Sequence, residues 1–432
     1  MKRLFYFLFC FLCVLVLFQD FIGIALFNLG VPKYLLQIFL SLKDLIVLLM
    51  AVLGMITCAV MQCRISFNST IFFFAGYSLI VAVYFIAFGG LSNMPGNIND
   101  LRSLIFPVYA YLAGYVMRYL DKEDMIKFIE KAALFSVLLS LGLYLFGDGA
   151  LIRLRVLDYT EDVRGYFGQI YKGLPSSYYT KLSDVTIFRL AGPVFNSIGT
   201  AILFTLVAGL LIGRYKFVEK GQKRRILLAL LILSIILTFS RGAILGFLLG
   251  LLVTDLFWSK RLGSNKSIVV TYFIVVLFMA LYYRNFASIM RDTFLLTDSS
   301  SISHYNGLVA SLDYLKNNWM GRGVGSVGMW RIADYAGGAG ENSFVHIIGQ
   351  VGIFAFLFLT GAYVCVVKKL IKHRDNYLNY GLLICAVAVL FNSIFSPSLL
   401  VVTPLILFWF FVGYSEVSNR SNLQTRVGTN IL

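Results

Sequence analysis

Arginines in two turn-like settings are the residues best suited to chemistry. Ser240-Arg241-Gly242-Ala243 lies between two apolar runs with no room for a loop. Arg189 stands in Phe188-Arg189-Leu190-Ala191-Gly192-Pro193, directly ahead of another apolar run that Asn196 is placed to cap. A guanidinium is a planar fork of donors that grips phosphate or carboxylate in bidentate fashion. An arginine at the edge of a bilayer either snorkels to the interface or meets an anion there, because its charge is costly at depth. Further arginines, Arg153, Arg155, Arg164, Arg284, Arg291 and Arg322, fall in two long polar segments of the same predicted side.

Proton transfer has its own candidates in Glu341 and His346, with Asn342 between them at the head of an apolar run. Asn342, His346 and Gly349 share one helical face. Glu341 lies about 140° around an ideal helix from His346, so the two are not a ready-made dyad. Glu341 suits a base if desolvated, His346 by its ordinary pKa, and a packed polar role competes for His346. The run Gly321-Arg322-Gly323-Val324-Gly325-Ser326-Val327-Gly328 follows a helical pattern rather than a strand, which excludes a nucleotide loop. Its backbone N–H groups either cradle an anion or belong to a flexible turn.

The elements that must position these residues are membrane helices. Of the 432 residues 59% are apolar and 13% charged, about half the charged share of a soluble domain. Crossing a hydrocarbon core of about 30 Å takes about 20 apolar residues. Such runs occur at 4–27, 34–62, 70–88, 103–117, 128–146, 195–213, 226–239, 242–258, 268–283, 343–366, 380–395 and 399–414. The fold class expected is therefore an all-α polytopic membrane protein of about twelve spans, forming one integral domain over 1–432. The second run carries Lys43 and Asp44, which suggests a tilted or interfacial stretch. Met1-Lys2-Arg3 resembles the start of a signal peptide, but no small-residue cleavage site follows, and we read it as the first span.

The clusters of Lys and Arg in the short loops all fall on one side, which places both ends in the cytoplasm. The outer side then holds ten arginines against four lysines, where the inner side holds ten against eleven. Inner charges set topology, whereas the outer arginine bias reflects either an anionic ligand or chance in small counts. Two outer segments are long, 147–190 and 284–342, and long loops in compact folds are usually functional. Within the second, 303–318 reads as an amphipathic helix on the membrane surface, its stripe Tyr305, Leu308, Val309, Leu312 and Leu315 reserved for packing. Tyr159, Tyr166, Tyr171, Tyr178, Tyr179, Trp319 and Trp330 could stack on sugar rings or serve as ordinary interfacial aromatics. The formal charge of +16 carries no basic blocks with interleaved aromatics, so nucleic acid is not an expected partner. No Cys/His spacing suggests a metal, and none of the six cysteines lies in an outer loop.

Four features resemble the bacterial O-antigen polymerase and O-antigen ligase superfamily. They are Arg189-Leu190-x-Gly192 with Asn196 shortly after, Thr238-Phe239-Ser240-Arg241-Gly242-Ala243, the long outer loop ending in Gly321-x-Gly323-x-Gly325, and Glu341-Asn342 followed by Gly352. Their order and topology match over nearly the whole chain. The resemblance implies a GT-C-like glycosyltransferase of the bacterial inner membrane, active on the periplasmic face without metal or other cofactor. Its substrate would be a glycan on undecaprenyl diphosphate, and its setting lipopolysaccharide biosynthesis among membrane lipids. A polysaccharide chain-length regulator is left open as a further partner. In that family outer arginines hold the diphosphate, a role that transfers onto Arg189 and Arg241 and, by sign and side alone, onto Arg153, Arg155, Arg164, Arg284, Arg291 and Arg322. Where the ligase pattern has a His before the Asn, this chain has Glu341. That departure favours polymerase over ligase. A lipid-linked oligosaccharide flippase is the alternative of another class, and it would place charges near mid-membrane.

Overall fold

The computed structural model describes residues 1–61, 67–88, 94–117, 120–165, 169–182, 185–218, 221–258, 299–327, 342–373 and 376–428. Five long helices come first: α1 (Lys2–Asn28), α2 (Lys33–Val60), α3 (Ser69–Ala87), α4 (Met94–Val116) and α5 (Lys122–Leu145). A cap follows, made of α6 (Asp148–Arg153), α7 (Val156–Asp162) and the antiparallel pairs β1 (Ile170–Tyr171) with β2 (Leu174–Pro175) and β3 (Tyr179–Leu182) with β4 (Val185–Phe188). Then come α8 (Ser197–Phe217), α9 (Gln222–Leu237), α10 (Arg241–Trp258), α11 (Ser299–Asn318), α12 (Ser343–Lys372), α13 (Tyr377–Asn392) and α14 (Val402–Gly428). Every expected span except 268–283, which lies outside the described residues, coincides with one of these helices. Seven of them (α1, α2, α3, α5, α8, α10 and α12) are long and apolar enough to cross a membrane, and α13 and Val402–Glu416 are shorter apolar helices. The chain is an all-α membrane protein.

Glycines set the helix spacing. Without a hydrophobic drive between helices in lipid, small residues let backbones approach and gain van der Waals contact. Gly246 and Gly250 of α10 lie against the Ala388 and Ile384 carbonyls of α13, where an added Cβ would stand 2.7 and 2.4 Å from oxygen. The other face of α13 meets Gly209 and Gly213 of α8 in the same way. Helix α13 is accordingly buried along nearly its whole length, and α8 with it. A second tight pair joins α4 to α14, with Gly114 against Phe410 and Gly413 against Tyr111.

The helix ends sort into two sets. At one end Arg214 bridges Glu123 (2.6 Å) and Glu130 (3.0 Å), Lys216 meets Asp255 (2.8 Å), and Lys369 meets Glu416 (2.6 Å). Arg189, Arg241 and Asn342 lie at the opposite end.

The described residues of 147–190 form a folded cap. Leu151, Val156, Tyr159, Val163, Leu174 and Tyr178 form its own core, which continues onto Ile24 of α1 and Leu36 of α2. Tyr159, Tyr178 and Tyr179 are buried there, so they hold the cap together and do not face a sugar. Tyr171 and Trp319 are exposed, whereas Tyr166 and Trp330 lie outside the described residues.

Lys43 and Asp44 lie within α2, which is one continuous helix, and both turn inward. Lys43 is buried and donates to Gln19 Oε1 and to the Leu40 carbonyl, both at 2.7 Å. Asp44 accepts from Tyr109 at 2.6 Å and lies 2.9 Å from Arg102 Nε. The expected amphipathic helix is α11, beginning at Ser299. Its stripe of Tyr305, Leu308, Val309 and Leu312 is left exposed by the rest of the protein. The face that docks on α12 is the adjacent one, with Ser311 buried and Tyr314 and Leu315 packed against Val327 and Val345.

Candidate functional site

The turn between α9 and α10 is where Arg189 and Arg241 meet the same structure. Thr238 ends α9, Phe239 takes a left-handed φ of 48°, and Arg241 opens α10. Arg189 Nε donates to the Thr238 carbonyl at 2.8 Å, and its Nη1 donates to the Ser177 carbonyl at 3.3 Å. The backbone reinforces the link, with Arg189 N on Tyr178 O (2.8 Å) and Leu190 N on Leu237 O (2.9 Å). A cation on the last carbonyls of a helix is favoured by their exposed negative ends. Arg189 thus ties the cap to the turn that presents Arg241, and both side chains remain half-buried.

A polar knot extends the site from α10 to α12. An added Cβ at Gly242 would stand 2.5 Å from Asn392 Oδ1, so the residue after Arg241 rests on the end of α13. Asn392 Nδ2 donates to Ser398 Oγ at 2.6 Å, and Ser398 Oγ also meets Ser396 Oγ. Ser343 Oγ donates to the Ser396 carbonyl (2.9 Å) and accepts from Leu399 N (3.2 Å), while Ser343 N donates to the Ser393 carbonyl (3.1 Å). Asn342 caps α12, its Oδ1 accepting from Phe344 N (2.8 Å) and Val345 N (3.3 Å), and its Nδ2 donates to the Ile394 carbonyl (3.0 Å). Three stretches that stand out in the sequence, at 188–192, 238–243 and 342–343, are therefore joined at one end of the bundle. Asn392, Ser393, Ser396 and Ser398 supply the junction, and sequence reasoning missed them. Their signal is a polar cluster around Pro397 where an apolar run stops.

Other expected members lie elsewhere. His346 is buried, and its Nδ1 stands 2.6 Å from the Val327 carbonyl, to which it donates, so it packs the Gly321–Val327 loop. In that loop the N–H groups of Arg322, Gly323 and Gly325 are already engaged within the protein. Gly352 has φ 79° and ψ 168°, which splits α12 and leaves the last carbonyls of its first part without helical partners. Arg322 N donates to Gly349 O (2.9 Å), Gly323 N to Gln350 O (2.9 Å) and Gly325 N to Gln350 Oε1 (2.9 Å). Two of these N–H groups cap the break and the third holds the Gln350 side chain, and positive φ at Gly321, Gly323 and Gly325 makes the path possible.

Arg164 is paired with buried Asp20, so it is no free outer cation. Burial opposes its charge, but Asp20 and Tyr159 together outweigh this and its pKa rises. Arg155 pairs with Asp158 at 2.7 Å and lies over the Phe27 ring. Arg153 and Arg322 are exposed away from the knot. Arg284, Arg291 and Glu341 lie outside the described residues, although Glu341 directly precedes the Asn342 cap. No protein-family model matches the chain, and no curated protein matches its sequence.

Proposed function

We propose that the chain is a membrane glycosyltransferase that polymerises undecaprenyl-diphosphate-linked repeat units into O-antigen or a related surface polysaccharide. The observation that carries this reading is the meeting of the Arg189, Arg241 and Asn342 stretches, remote in sequence, at a single end of the bundle: Arg189 is hydrogen-bonded to the Thr238 turn, Asn342 to the end of α13, and Gly242 packs on Asn392 between them. The resemblance described above supplies the substrate class and the periplasmic side.

In this reading Arg241, with Arg189 beside it, neutralises the diphosphate of the donor. Stabilising the charge that develops on this leaving group is the main catalytic lever. A hydroxyl of the acceptor glycan attacks the anomeric carbon. The bond from that carbon to the diphosphate oxygen breaks as the new glycosidic bond forms, and Glu341 takes the hydroxyl proton. His346 is too deeply packed for this role, so the base is assigned to Glu341 alone. A single inverting displacement suffices, since the diphosphate leaves well without a covalent intermediate.

A flippase remains the second reading, because charges do lie within the bundle: Asp20, Lys43, Asp44 and Arg102 on α1, α2 and α4. Deleting the gene and running lipopolysaccharide on a gel separates the possibilities. Core carrying a single repeat, with the ladder restored by the intact gene, supports polymerase. Core without any repeat, with polymer held on its lipid carrier, means ligase. Single repeats stranded on the cytoplasmic face mean flippase.

A further inference from the structure

The apolar face that α5 turns outward does not stop where the helix ends. That helix is long and apolar enough to cross the membrane, and little of its apolar stretch is buried by protein, so this face meets acyl chains. Its uncharged stretch, Ala132–Phe146, begins just after Glu130, which pairs with Arg214 and Arg224 at the end of the bundle away from the cap. At 1.5 Å per residue this stretch covers about 22 Å, short of a hydrocarbon core of about 30 Å. Leu145 and Phe146, 83% and 80% exposed, therefore end the helix at the boundary of the acyl chains. The cap follows at once, and its near edge continues the pattern, with Ile152 of α6 44%, Ile170 52% and Tyr171 37% exposed. The β1–β2 turn lies over Ile152, since an added Cβ at Gly173 would stand 3.4 Å from Ile152 Cδ1. Tyr171 begins a file of rings that leads back to α5: it meets Tyr179 at 5.0 Å, Tyr179 meets Phe188 at 5.8 Å, and Phe188 stacks on Tyr144 at 5.6 Å. Strand β2 is buried on the cap core while β1 is exposed, and Lys172 puts a cation at the tip beside the Tyr171 ring.

We infer that this edge of the cap, the β1–β2 hairpin with Ile152, is seated in the bilayer leaflet on its own side, at the boundary of headgroups and acyl chains, with Lys172 reaching lipid phosphates. Three observations select a phospholipid surface as the occupant. The edge is continuous with a helix face that meets lipid. Its residue types are those of an interface, with aliphatic side chains and a tyrosine below and a lysine free to snorkel above. The strip also stands at the level where α5 leaves the hydrocarbon, so bilayer is within its reach, whereas a cap edge raised into water would leave the whole strip wet. Through the file of rings the seated hairpin holds Phe188, and with it the neighbouring Arg189, at a fixed height over the bilayer. The inference does not rest on the proposed function, because it concerns bulk phospholipid and not a substrate.

The test places a nitroxide label at Ile170→Cys, with the native cysteines replaced, in the full-length protein in phosphatidylglycerol nanodiscs. Phe135, exposed on α5, carries the label as the lipid reference, and Asp162, exposed at the end of α7, as the water reference. Oxygen concentrates in the bilayer and a nickel chelate stays in water, so the ratio of their collision rates with the label reads its depth. The ratio at 170 should exceed that at 162 by at least about threefold and approach that at 135. Ile152→Cys repeats the measurement on α6 without altering the strand pair, and the same result is expected there. Lys172→Glu should lower the ratio at 170 by about twofold or more, because a carboxylate is repelled by anionic headgroups. Ratios at 170 and 152 equal to that at 162 would place the edge in water and overturn the inference. A label at 170 reached by neither reagent would show that protein, such as a second copy of the chain, covers the edge, and would overturn it as well. An unchanged ratio in Lys172→Glu would overturn the headgroup contact assigned to Lys172.

Discussion

Replacing Asp20 with Asn tests how the cap is held to the bundle. Asp20 sits on α1 with 1% of its side chain exposed, and its carboxylate pairs with Arg164, which follows α7. Tyr159 of the cap core donates to the same Oδ1 at 3.4 Å, and its ring rests on Gly23 of α1. The neighbouring charges are Lys43, Arg102 and Asp44, so losing Asp20 leaves three cations facing one carboxylate. Removing one member of a buried pair costs about 3–5 kcal/mol, because the other charge stays desolvated. A quarter of the Arg164 side chain is open to water, which lowers the expected loss to about 2–4 kcal/mol. Replacing both partners, as Asp20→Asn with Arg164→Met, removes the stranded charge and should recover most of that loss. Thermal unfolding in detergent, with limited proteolysis after residue 165 as a local readout, should rank wild type and double variant above the single one. A double variant as unstable as the single, or a single variant indistinguishable from wild type, would refute the latch.

Other outcomes follow from the same packing. Gly114→Ala puts a methyl 1.8 Å from the Phe410 carbonyl oxygen and should cost about 2 kcal/mol or more through separation of α4 from α14, read as a lower unfolding temperature. Gly323→Ala, at φ 106°, should cost about 1–3 kcal/mol and expose the break at Gly352, detectable as faster hydrogen exchange at residues 349–353. Tyr179 donates to Asp148 at 3.0 Å, and burial followed by that carboxylate raises its phenol pKa. The raised pKa makes its contribution complete below the ordinary phenol value of about 10 and lost as pH climbs towards the folded value. Cap proteolysis should therefore accelerate above about pH 10 in wild type, and Tyr179→Phe should start about 1 kcal/mol less stable and show less of that rise.

The helices are legible in the sequence because a long apolar run admits few alternatives in lipid. The cap is not, since strands of two to four residues carry too little pattern to separate from a polar loop. Arg164 reads as a ligand cation because its partner is 144 positions away, and sign and side alone cannot reveal a pair at that separation. The glycines at 321, 323 and 325 mark unusual backbone, but only the break at Gly352 explains what their N–H groups do. Arg189 and Arg241 stand out by their charge at an interface. The polar knot that joins them to Asn342 does not, because Asn392, Ser396 and Ser398 lie at a span end, where polar residues are ordinary.

The most direct measurement is polymer formation by purified protein, wild type and Arg241→Ala, reconstituted with an undecaprenyl-diphosphate-linked repeat unit. Wild type should release undecaprenyl diphosphate and yield products of two or more repeats, while Arg241→Ala, folded to the same extent, should lose at least about a hundredfold in rate. Chain growth by Arg241→Ala at the wild-type rate would contradict the role assigned to that arginine, and absence of any chain growth by wild type would contradict the transferase itself.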